Sequence, residues 1–335
     1  MIELAGYFSI TLIISLLSVP LVRTFARRYH VVAHENHRTV HEGEIPKLGG
    51  GAIFFAFVAG MAALLIIDPE LVSRFHFELL SLLIGTTVLF LIGALDDKMD
   101  LSCSIKLTIE LLVAGLAVSM GWRVETILLP GAVELNLGVM SYFISILWMV
   151  GVANAFNMVD GLDGLAGGIA VAVSFVSLSI AALFGNQLAP VIAVLVMGSV
   201  IGFLRYNINP ASIFMGDSGS LSLGFVLACI TLNSASLAPG KTAFLIPLLL
   251  LGLPITDTTL AVVRRVRRGI HPFHADREHI HHRLVRLGLS HAGAAMFMVA
   301  ICLLLGVMAF LLAHGMYTDS FFMQNSNMTD TLGAW

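Results

Sequence analysis

Long apolar stretches recur along almost the whole of this 335-residue chain. Each is about 18–22 residues long, enough for a helix to cross a hydrocarbon core of roughly 30 Å. The chain is 58% hydrophobic and only 12% charged, a composition that excludes an ordinary soluble protein. The stretches are continuous rather than alternating, which excludes a membrane β-barrel. The sequence therefore predicts an all-α, polytopic membrane bundle of about ten transmembrane helices. The predicted spans are residues 5–22, 49–67, 78–95, 106–121, 139–158, 165–184, 188–206, 219–236, 242–262 and 292–313.

The basic residues are distributed unevenly between the two sets of alternate loops. Of the 18 lysines and arginines, only Arg74, Arg123 and Lys241 lie in one set, and the rest lie in the other. The positive-inside rule makes the basic side cytoplasmic and places both termini on the other side. We expect one membrane-embedded domain over residues 1–335, with a non-cytoplasmic tail at about 315–335. The predicted cytoplasmic loops are about 23–48, 96–105, 159–164, 207–218 and 263–291.

Six aspartates lie where apolar stretches end or begin, all on the predicted cytoplasmic side. A carboxylate at the centre of a membrane helix costs about 2.5–3.5 kcal/mol, so acids near such helices usually serve a function. The pattern predicts an active site at the cytoplasmic face. These aspartates are Asp96, Asp97, Asp100, Asp160, Asp163 and Asp217.

The segment from Gly93 to Asp100 contains two adjacent carboxylates, Asp96 and Asp97. Adjacent carboxylates repel each other and persist where a cation, a basic partner or a shared proton compensates their charge. Their hard oxygen atoms favour Mg²⁺ or Mn²⁺ over softer metals. A solvated helix end with ordinary ion pairs is the alternative. Lys106 follows as a candidate phosphate ligand, or as an anchor of its helix at the interface.

Four polar residues then recur at every third position: Asn154, Asn157, Asp160 and Asp163. Residues three apart share a helix face, so the series predicts one polar stripe that lines a cavity. Glycines among and after these residues would let the backbone approach a ligand closely. A plain turn between two helices is the alternative interpretation.

The segment from Asn207 to Ser220 leads into another apolar stretch and contains Asp217. An aspartate at this position can simply cap the following helix. A helix N-terminus with glycine and serine nearby is equally suited to phosphate or to a phosphate-bound metal.

The segment 264–283 is rich in both arginine and histidine. Zinc is disfavoured because no cysteine accompanies the histidines and the arginines would oppose a dication. Arginine forks bind the oxygens of a pyrophosphate in pairs, so this segment predicts pyrophosphate binding. The arginines alone would also fit a positive-inside stop signal. Asp257, a few residues earlier, fits a structural pair with an arginine as well as a catalytic role.

Together these motifs resemble the polyprenyl-phosphate N-acetylhexosamine-1-phosphate transferases, most closely the WecA type, which makes undecaprenyl-diphospho-GlcNAc. The resemblance extends from about Asn36 to Arg283, with the motifs in order and on the expected side. The matching segments are Asn36–Arg38, His41, Pro46–Gly50, Ala94–Asp100, Asn154–Leu165, Phe214–Ser220 and His271–His282.

The resemblance implies a transfer of N-acetylhexosamine-1-phosphate, most readily GlcNAc-1-phosphate, from a UDP-sugar to undecaprenyl phosphate with release of UMP. It implies Mg²⁺, with Mn²⁺ as a substitute, and a bacterial inner-membrane enzyme that starts a lipid-linked envelope glycan such as O-antigen. Membrane lipid and a second copy of the chain are further expected partners, and nucleic acid is not one. A phospho-MurNAc-pentapeptide transferase is the nearest alternative, and an ion-coupled transporter the alternative from another class.

The resemblance also assigns roles to residues. It implies catalytic roles for Asp96, Asp97, Lys106 and Asp217, and a metal site at Asp217 and Asn157. It leaves open whether Asp96 or Asp97 acts as a base or only orients the lipid phosphate. Asp163 and Phe214 would contact uracil. The full set of implied substrate-binding residues is Asn154, Asn157, Asp160, Asp163, Asn207, Phe214, Arg265, Asp276, Arg277, His279, His281 and His282.

The chain departs from the family pattern at three positions. Ala33 and Glu35 replace the usual Asp and Pro, and Glu110 stands where Gln is common. The chain also ends after the tenth predicted span, whereas WecA-type members often have an eleventh.

Overall fold

A computed structural model describes residues 2–33, 45–129, 133–238, 241–269 and 278–332. Its helices are α1 Ile2–Arg28, α2 Gly50–Ile67, α3 Pro69–Arg74, α4 His76–Met99, α5 Cys103–Ser119, α6 Met140–Val159, α7 Leu165–Leu183, α8 Leu188–Asn207, α9 Gly216–Ser234, α10 Leu245–Leu250, α11 Gly252–Arg267, α12 Ile280–Arg286 and α13 His291–Leu332. Its strands are β1 Val32–Ala33, β2 Ile45–Pro46, β3 Thr126–Leu129, β4 Val133–Asn136, β5 Ser236–Ala238 and β6 Lys241–Thr242.

The helices confirm a multi-pass membrane protein. Seven helices in the described ranges, α1, α2, α4, α6, α7, α8 and α13, are long and apolar enough to cross a bilayer. The predicted spans at 106–121 and 219–236 correspond to α5 and α9. Nine of the ten predicted spans therefore each match one helix.

The ninth predicted span, residues 242–262, is wrong as a single helix. The chain forms α10, breaks at Leu251, and resumes as α11. Pro254 explains the break, because proline lacks an N–H to donate to the preceding turn and is tolerated in the first turn of a new helix. Helix α13 extends past the end of the tenth predicted span and continues to Leu332. The non-cytoplasmic location of the predicted tail at about 315–335 stays a prediction.

A small sheet adds to the predicted all-α architecture. Its strand order is β4-β3-β6-β5, with β3 and β6 parallel and the other neighbours antiparallel. It joins the segment after α5 to the segment between α9 and α10. The separate pair of β1 and β2 closes the first loop at the other end of the bundle, with Val32 opposite Pro46.

Helix α9 lies at the centre of the bundle and packs against α2, α4, α6, α7 and α8. Its side chains are buried almost without interruption from Ser218 to Leu232. The first turn of α9 fits against glycines of two neighbouring helices. A Cβ at Gly93 of α4 would come within 2.4 Å of the backbone at Asp217, and one at Gly50 of α2 within 2.2 Å of Gly219.

Replacing Gly93 by alanine is therefore expected to displace the start of α9. Overpacking of this kind costs about 1–3 kcal/mol, so the thermal unfolding midpoint of purified Gly93→Ala protein in detergent should fall by several degrees. Gly115→Ala is the matched control, because a Cβ at that position on α5 meets nothing within 4 Å. Alanine is favoured over glycine inside a helix by up to about 1 kcal/mol, so the control should keep or raise the midpoint. Equal midpoints for the two variants would contradict this packing.

Candidate active site

The first turn of α9 is held by a carboxylate from the last turn of α4. The N–H of Asp217 donates to Asp97 Oδ1 at 3.0 Å, and the N–H of Ser218 donates to Asp97 Oδ2 at 3.1 Å. The first N–H groups of a helix have no partner within the helix, so Asp97 caps α9 from a neighbouring helix. Gly216 begins the turn at φ 74°, a left-handed conformation that glycine adopts without strain. Asp97 thus fixes where Asp217 lies.

Lys106 of α5 joins two of the predicted acids. Its Nζ lies 2.6 Å from Asp96 Oδ2 and 3.2 Å from Asp217 Oδ2. The other oxygen of Asp96 accepts the N–H of Leu101 at 2.7 Å, and Asp96 is buried. The ends of α4, α5 and α9 therefore meet at one ammonium group, which pairs with Asp96 but not with the adjacent Asp97 among the described contacts.

The polar stripe predicted along α6 is only half correct. Asn154 and Asn157 lie on α6 one turn apart, but the helix ends at Val159 and Asp160 is its C-cap. Asn157 Nδ2 donates to Ser220 Oγ at 2.8 Å, and the same amide reaches the carboxylate of Asp217. This contact brings the two predicted metal ligands together.

The polar stripe does not continue because α6 ends at Val159. Asp163 lies beyond the helix and contacts the loop before α9. Its Oδ2 accepts from Asn209 Nδ2 at 2.9 Å and from the N–H of Ala211 at 3.0 Å. Asn207 clamps the same two segments, since its Oδ1 accepts from Gly164 N at 3.0 Å and its Nδ2 donates to Ile213 O at 2.9 Å. Both residues brace the loop before α9. Their substrate contacts stay predictions.

Phe214 belongs to a strand-like contact with the end of the first loop. Its N–H donates to Pro46 O, and its carbonyl accepts the N–H of Gly49, both at 2.8 Å. The Pro46–Gly50 motif and the Phe214–Ser220 motif, far apart in sequence, are thereby joined. The contact of Phe214 with uracil that the resemblance implies stays a prediction.

An acid inside α11 anchors the histidine segment, the part of the 264–283 region that the structure describes from Glu278 onward. His279 Nδ1 lies 2.9 Å from Asp257 Oδ2, and the N–H of Ile280 donates to Asp257 Oδ1 at 2.9 Å. Asp257 is fully buried and Arg265 of the same helix is buried too. Asp257 therefore has a histidine as a structural partner, whereas the sequence interpretation considered a pair with an arginine or a catalytic role. Asp276 and Arg277, also predicted to bind substrate, lie outside the described residues.

His281 extends this segment onto the turn after α6. A Cβ at Gly161 would lie 2.5 Å from His281 Nε2, so the ring occupies the space that the glycine leaves. Burial, with the charges of His282 and His279, lowers the pKa of His281 to about 4. The imidazole is therefore neutral near pH 7, and its buried Nδ1 has no hydrogen-bond partner among the described residues. His282 packs against it at 4.2 Å between ring centroids.

Acids outnumber bases in this cluster. Burial, followed by the charges of Asp217 and Asp97, raises the pKa of Asp160 to about 7.

Within the described ranges no three His, Cys, Asp or Glu side chains converge to form a metal cage. Mg²⁺ commonly uses one or two carboxylates, keeps several waters and takes substrate phosphates as further ligands. The donors at Asp217 and Asn157 fit that pattern.

Sequence reasoning did not assign three contacts that organise the site. It did not find Asp97 as the cap of α9, the Asp257–His279 pair, or the contact between Asn154 and Glu110 of α5. Glu110 is a buried acid in a membrane helix, and its departure from the usual glutamine was the available signal.

Fold and site together define a multi-pass helical membrane protein with a carboxylate–lysine cluster at one end of its bundle. The family model described as glycosyl transferase family 4 matches residues 79–235. The chain is 35% identical to the "Probable undecaprenyl-phosphate N-acetylglucosaminyl 1-phosphate transferase" of Bacillus subtilis (strain 168), over 93% of this chain and 86% of the relative.

Two further relatives agree. The chain is 33% identical to the "Decaprenyl-phosphate N-acetylglucosaminephosphotransferase" of Mycolicibacterium smegmatis, covering 92% of this chain and 80% of that one. It is 32% identical to the "Undecaprenyl-phosphate alpha-N-acetylglucosaminyl 1-phosphate transferase" of Escherichia coli (strain K12), covering 86% and 78%. The chain belongs to glycosyl transferase family 4, which confirms the resemblance inferred from its motifs.

Asp257→Asn is expected to loosen the histidine segment. The asparagine keeps one oxygen for Ile280 N–H but presents an NH₂ group to His279 Nδ1 in place of an acceptor. Tryptic cleavage of the purified protein after Arg283 should become severalfold faster. Glu278→Gln is the comparison, because its ion pairs with Arg264, Arg268 and Arg283 are part-exposed, and exposed pairs are worth about 0–1 kcal/mol each. A wild-type cleavage rate in Asp257→Asn would exclude the anchoring role.

His281 is expected to make the protein less stable in mild acid. Its pKa is lowered from 6.5 to about 4 in the folded chain, so the unfolded chain binds the proton more readily. The stability from keeping this ring neutral is complete above about pH 6.5 and is lost as pH falls toward 4. The facing charges are His279 and His282, which lower the pKa, and Asp257, which raises it. The unfolding midpoint should fall more between about pH 7.5 and pH 5 in wild type than in His281→Gln; equal falls would refute the assignment.

Proposed function

We propose that the chain transfers GlcNAc-1-phosphate from UDP-GlcNAc to undecaprenyl phosphate and releases UMP. The observation that carries this proposal is the Asp96–Lys106–Asp217 cluster, one half-buried lysine between two carboxylates at the meeting point of three helices. The names of the relatives, each a polyprenyl-phosphate GlcNAc phosphotransferase, support the same reaction. They favour this function over the phospho-MurNAc-pentapeptide and transporter alternatives.

In the proposed reaction an oxygen of the lipid phosphate attacks the β-phosphorus of UDP-GlcNAc. A new P–O bond forms, the bond between the β-phosphorus and the UMP oxygen breaks, and UMP leaves with the electron pair. The lipid phosphate is already ionised near neutral pH, so positioning and charge neutralisation can supply most of the catalysis. No general base is needed in this account.

Lys106 is the proposed contact for the lipid phosphate. An ammonium group has three N–H donors, and Asp96 and Asp217 take two of them. The third is left for an incoming phosphate oxygen. Asp96 orients the lysine, and Asp97 holds the start of α9 with both of its oxygens. We therefore propose an orienting role for the aspartate pair.

The donor sugar nucleotide is proposed to lie between the start of α9 and the histidine segment. Asp217 and Asn157 would hold Mg²⁺, or Mn²⁺ in its place, which neutralises charge on the pyrophosphate when bound. The unpartnered Nδ1 of His281 is a polar atom that a bound ligand can satisfy. Since its ring is neutral, the positive charge that this segment would bring to the pyrophosphate comes from its arginines, such as Arg265.

We also propose that the acid cluster faces the cytoplasm of a bacterial inner membrane. The basic end of α11, with Arg264, Arg265 and Arg267, lies at the same end of the bundle as the cluster. The positive-inside rule then makes this end cytoplasmic.

Asp217→Asn should lower kcat for UMP release by at least about a hundredfold, because one charged oxygen of the metal and lysine site is lost. The assay uses purified protein, undecaprenyl phosphate, UDP-GlcNAc and Mg²⁺. Asp68→Asn is the control: Asp68 caps α3 at the other end of the bundle, and asparagine caps equally well. Near-normal turnover in Asp217→Asn would remove this residue from the reaction.

A donor screen separates the sugar alternatives. Wild-type protein should release UMP with UDP-GlcNAc at a rate well above that with UDP-GalNAc or UDP-MurNAc-pentapeptide. Removal of divalent metal with EDTA should abolish release, and added Mg²⁺ should restore it. Release that is fastest with the pentapeptide donor would overturn the proposed substrate.

A further inference from the structure

A cavity of about 470 Å³ lies at the end of the bundle opposite the acid cluster. It opens between the α3–α4 corner, the segment after α5, the α7–α8 turn and the end of α9 with its adjoining strands. Pockets of this size commonly bind small ligands. Two of the three helices that carry the cluster, α4 and α9, lead to it. Glu78 is 18 residues before Asp96 on α4, and Asn233 is 16 residues after Asp217 on α9, which places the two ends about 24–27 Å apart.

The cavity lining contains two arginines, a glutamate without an ion pair among the described residues, and an asparagine side-chain oxygen without a hydrogen-bond donor. Of the three basic residues in the sparsely charged loops, Arg74 and Arg123 both line the cavity. Among the described residues the carboxylate of Glu78 forms no ion pair. The side-chain Oδ1 of Asn233 is buried there with no hydrogen-bond partner. An unpaired buried polar atom such as Asn233 Oδ1 is costly, so it indicates a missing partner.

The two arginines can still accept an anion. Arg74 Nη1 donates to Gln187 Oε1 at 2.6 Å, and the guanidinium group has further N–H donors. Arg123 pairs with Glu125 and lies over the ring of Tyr142, 4.5 Å from its centroid, which fixes its position at the rim. The cavity lining therefore offers N–H donors for a phosphate and acceptors for an N–H or O–H group.

The surroundings of the cavity favour a lipid over a soluble ligand. Phe77 and Leu80 of α4, on either side of Glu78 and Leu79, are 56% and 49% exposed. Exposed apolar side chains beside a polar pocket at the end of membrane-spanning helices are suited to acyl chains. A headgroup in the pocket would then sit at the membrane interface with its chains along α4.

We propose that this cavity binds the headgroup of a membrane phospholipid whose phosphodiester is followed by an N–H or O–H donor. Arg74 and Arg123 would contact the phosphate, and Glu78 and Asn233 would accept from the donor group. The site lies in the leaflet opposite the acid cluster and does not depend on the proposed transferase reaction.

Phosphatidylethanolamine and phosphatidylcholine with identical acyl chains provide a matched pair of probes, because only the first has N–H donors. Native mass spectrometry of the detergent-purified full chain should show at least about threefold more retained phosphatidylethanolamine. Arg74→Gln should reduce retention of both lipids, whereas Glu78→Gln should remove the preference and leave phosphate-dependent retention. Lys241→Gln is the control, since Lys241 belongs to the same face but pairs with Glu134 and does not line the cavity.

Equal retention of the two lipids by wild type, or unchanged retention in Arg74→Gln, would overturn the proposal. O-phosphoethanolamine, which has the headgroup without acyl chains, tests the lipid assignment. If it raises the unfolding midpoint of wild type but not of Arg74→Gln while no lipid is retained, the cavity binds a soluble phosphate ester and the lipid proposal is wrong.

Discussion

Two N–H groups at the start of α9 donate to the carboxylate of Asp97, and the arrangement of the site depends on this contact. Gly216 provides the left-handed turn, Gly93 lets α4 approach, and the resulting cap fixes the direction in which Asp217 leaves the helix. Without a cap the first turn of a buried helix would leave polar groups unsatisfied. The metal candidate, the lysine bridge and the Phe214 segment are all positioned relative to this turn.

Charge balance is the second requirement of the site. Asp96 and Asp217 share one lysine, and Asp160 is poised near neutral pH by burial and by neighbouring acids. Such a cluster is most stable when a cation and a basic segment face it. The histidine–arginine segment, which includes residues of α11 and α12, is that basic segment. Asp257 holds that segment through His279. This arrangement of acids and bases fits the two phosphate-bearing substrates of the proposed reaction.

Much of this arrangement was predictable because it rests on local signals. Apolar length located nine spans, and paired carboxylates at helix ends located the cluster. The rest depends on contacts between residues distant in sequence. The spacing of Asn154, Asn157, Asp160 and Asp163 fits a helix, but the chain leaves the helix after Val159 and Asp163 binds the loop at 209–211.

Tertiary contacts decided other features too. The break at Leu251 and the small sheet could not be found from hydropathy, which averages over such details. Asp257 was seen as an acid near arginines, and only the fold showed that His279 reaches it from 22 residues away. The fold likewise showed that Asp97 caps α9, and the catalytic role that the resemblance implied for this residue stays a prediction.

Hydrogen–deuterium exchange over residues 214–222 tests the central claim most directly. Asp97→Asn leaves a single side-chain oxygen for two N–H groups, so the amides of Asp217 and Ser218 should exchange markedly faster than in wild type. Asp100→Asn is the control, because it removes a charge from the exposed C-cap of α4, the helix that carries Asp97. It should leave the exchange of the α9 amides unchanged. Wild-type protection of the α9 start in Asp97→Asn would contradict the account, because the cap would then not hold this turn in place.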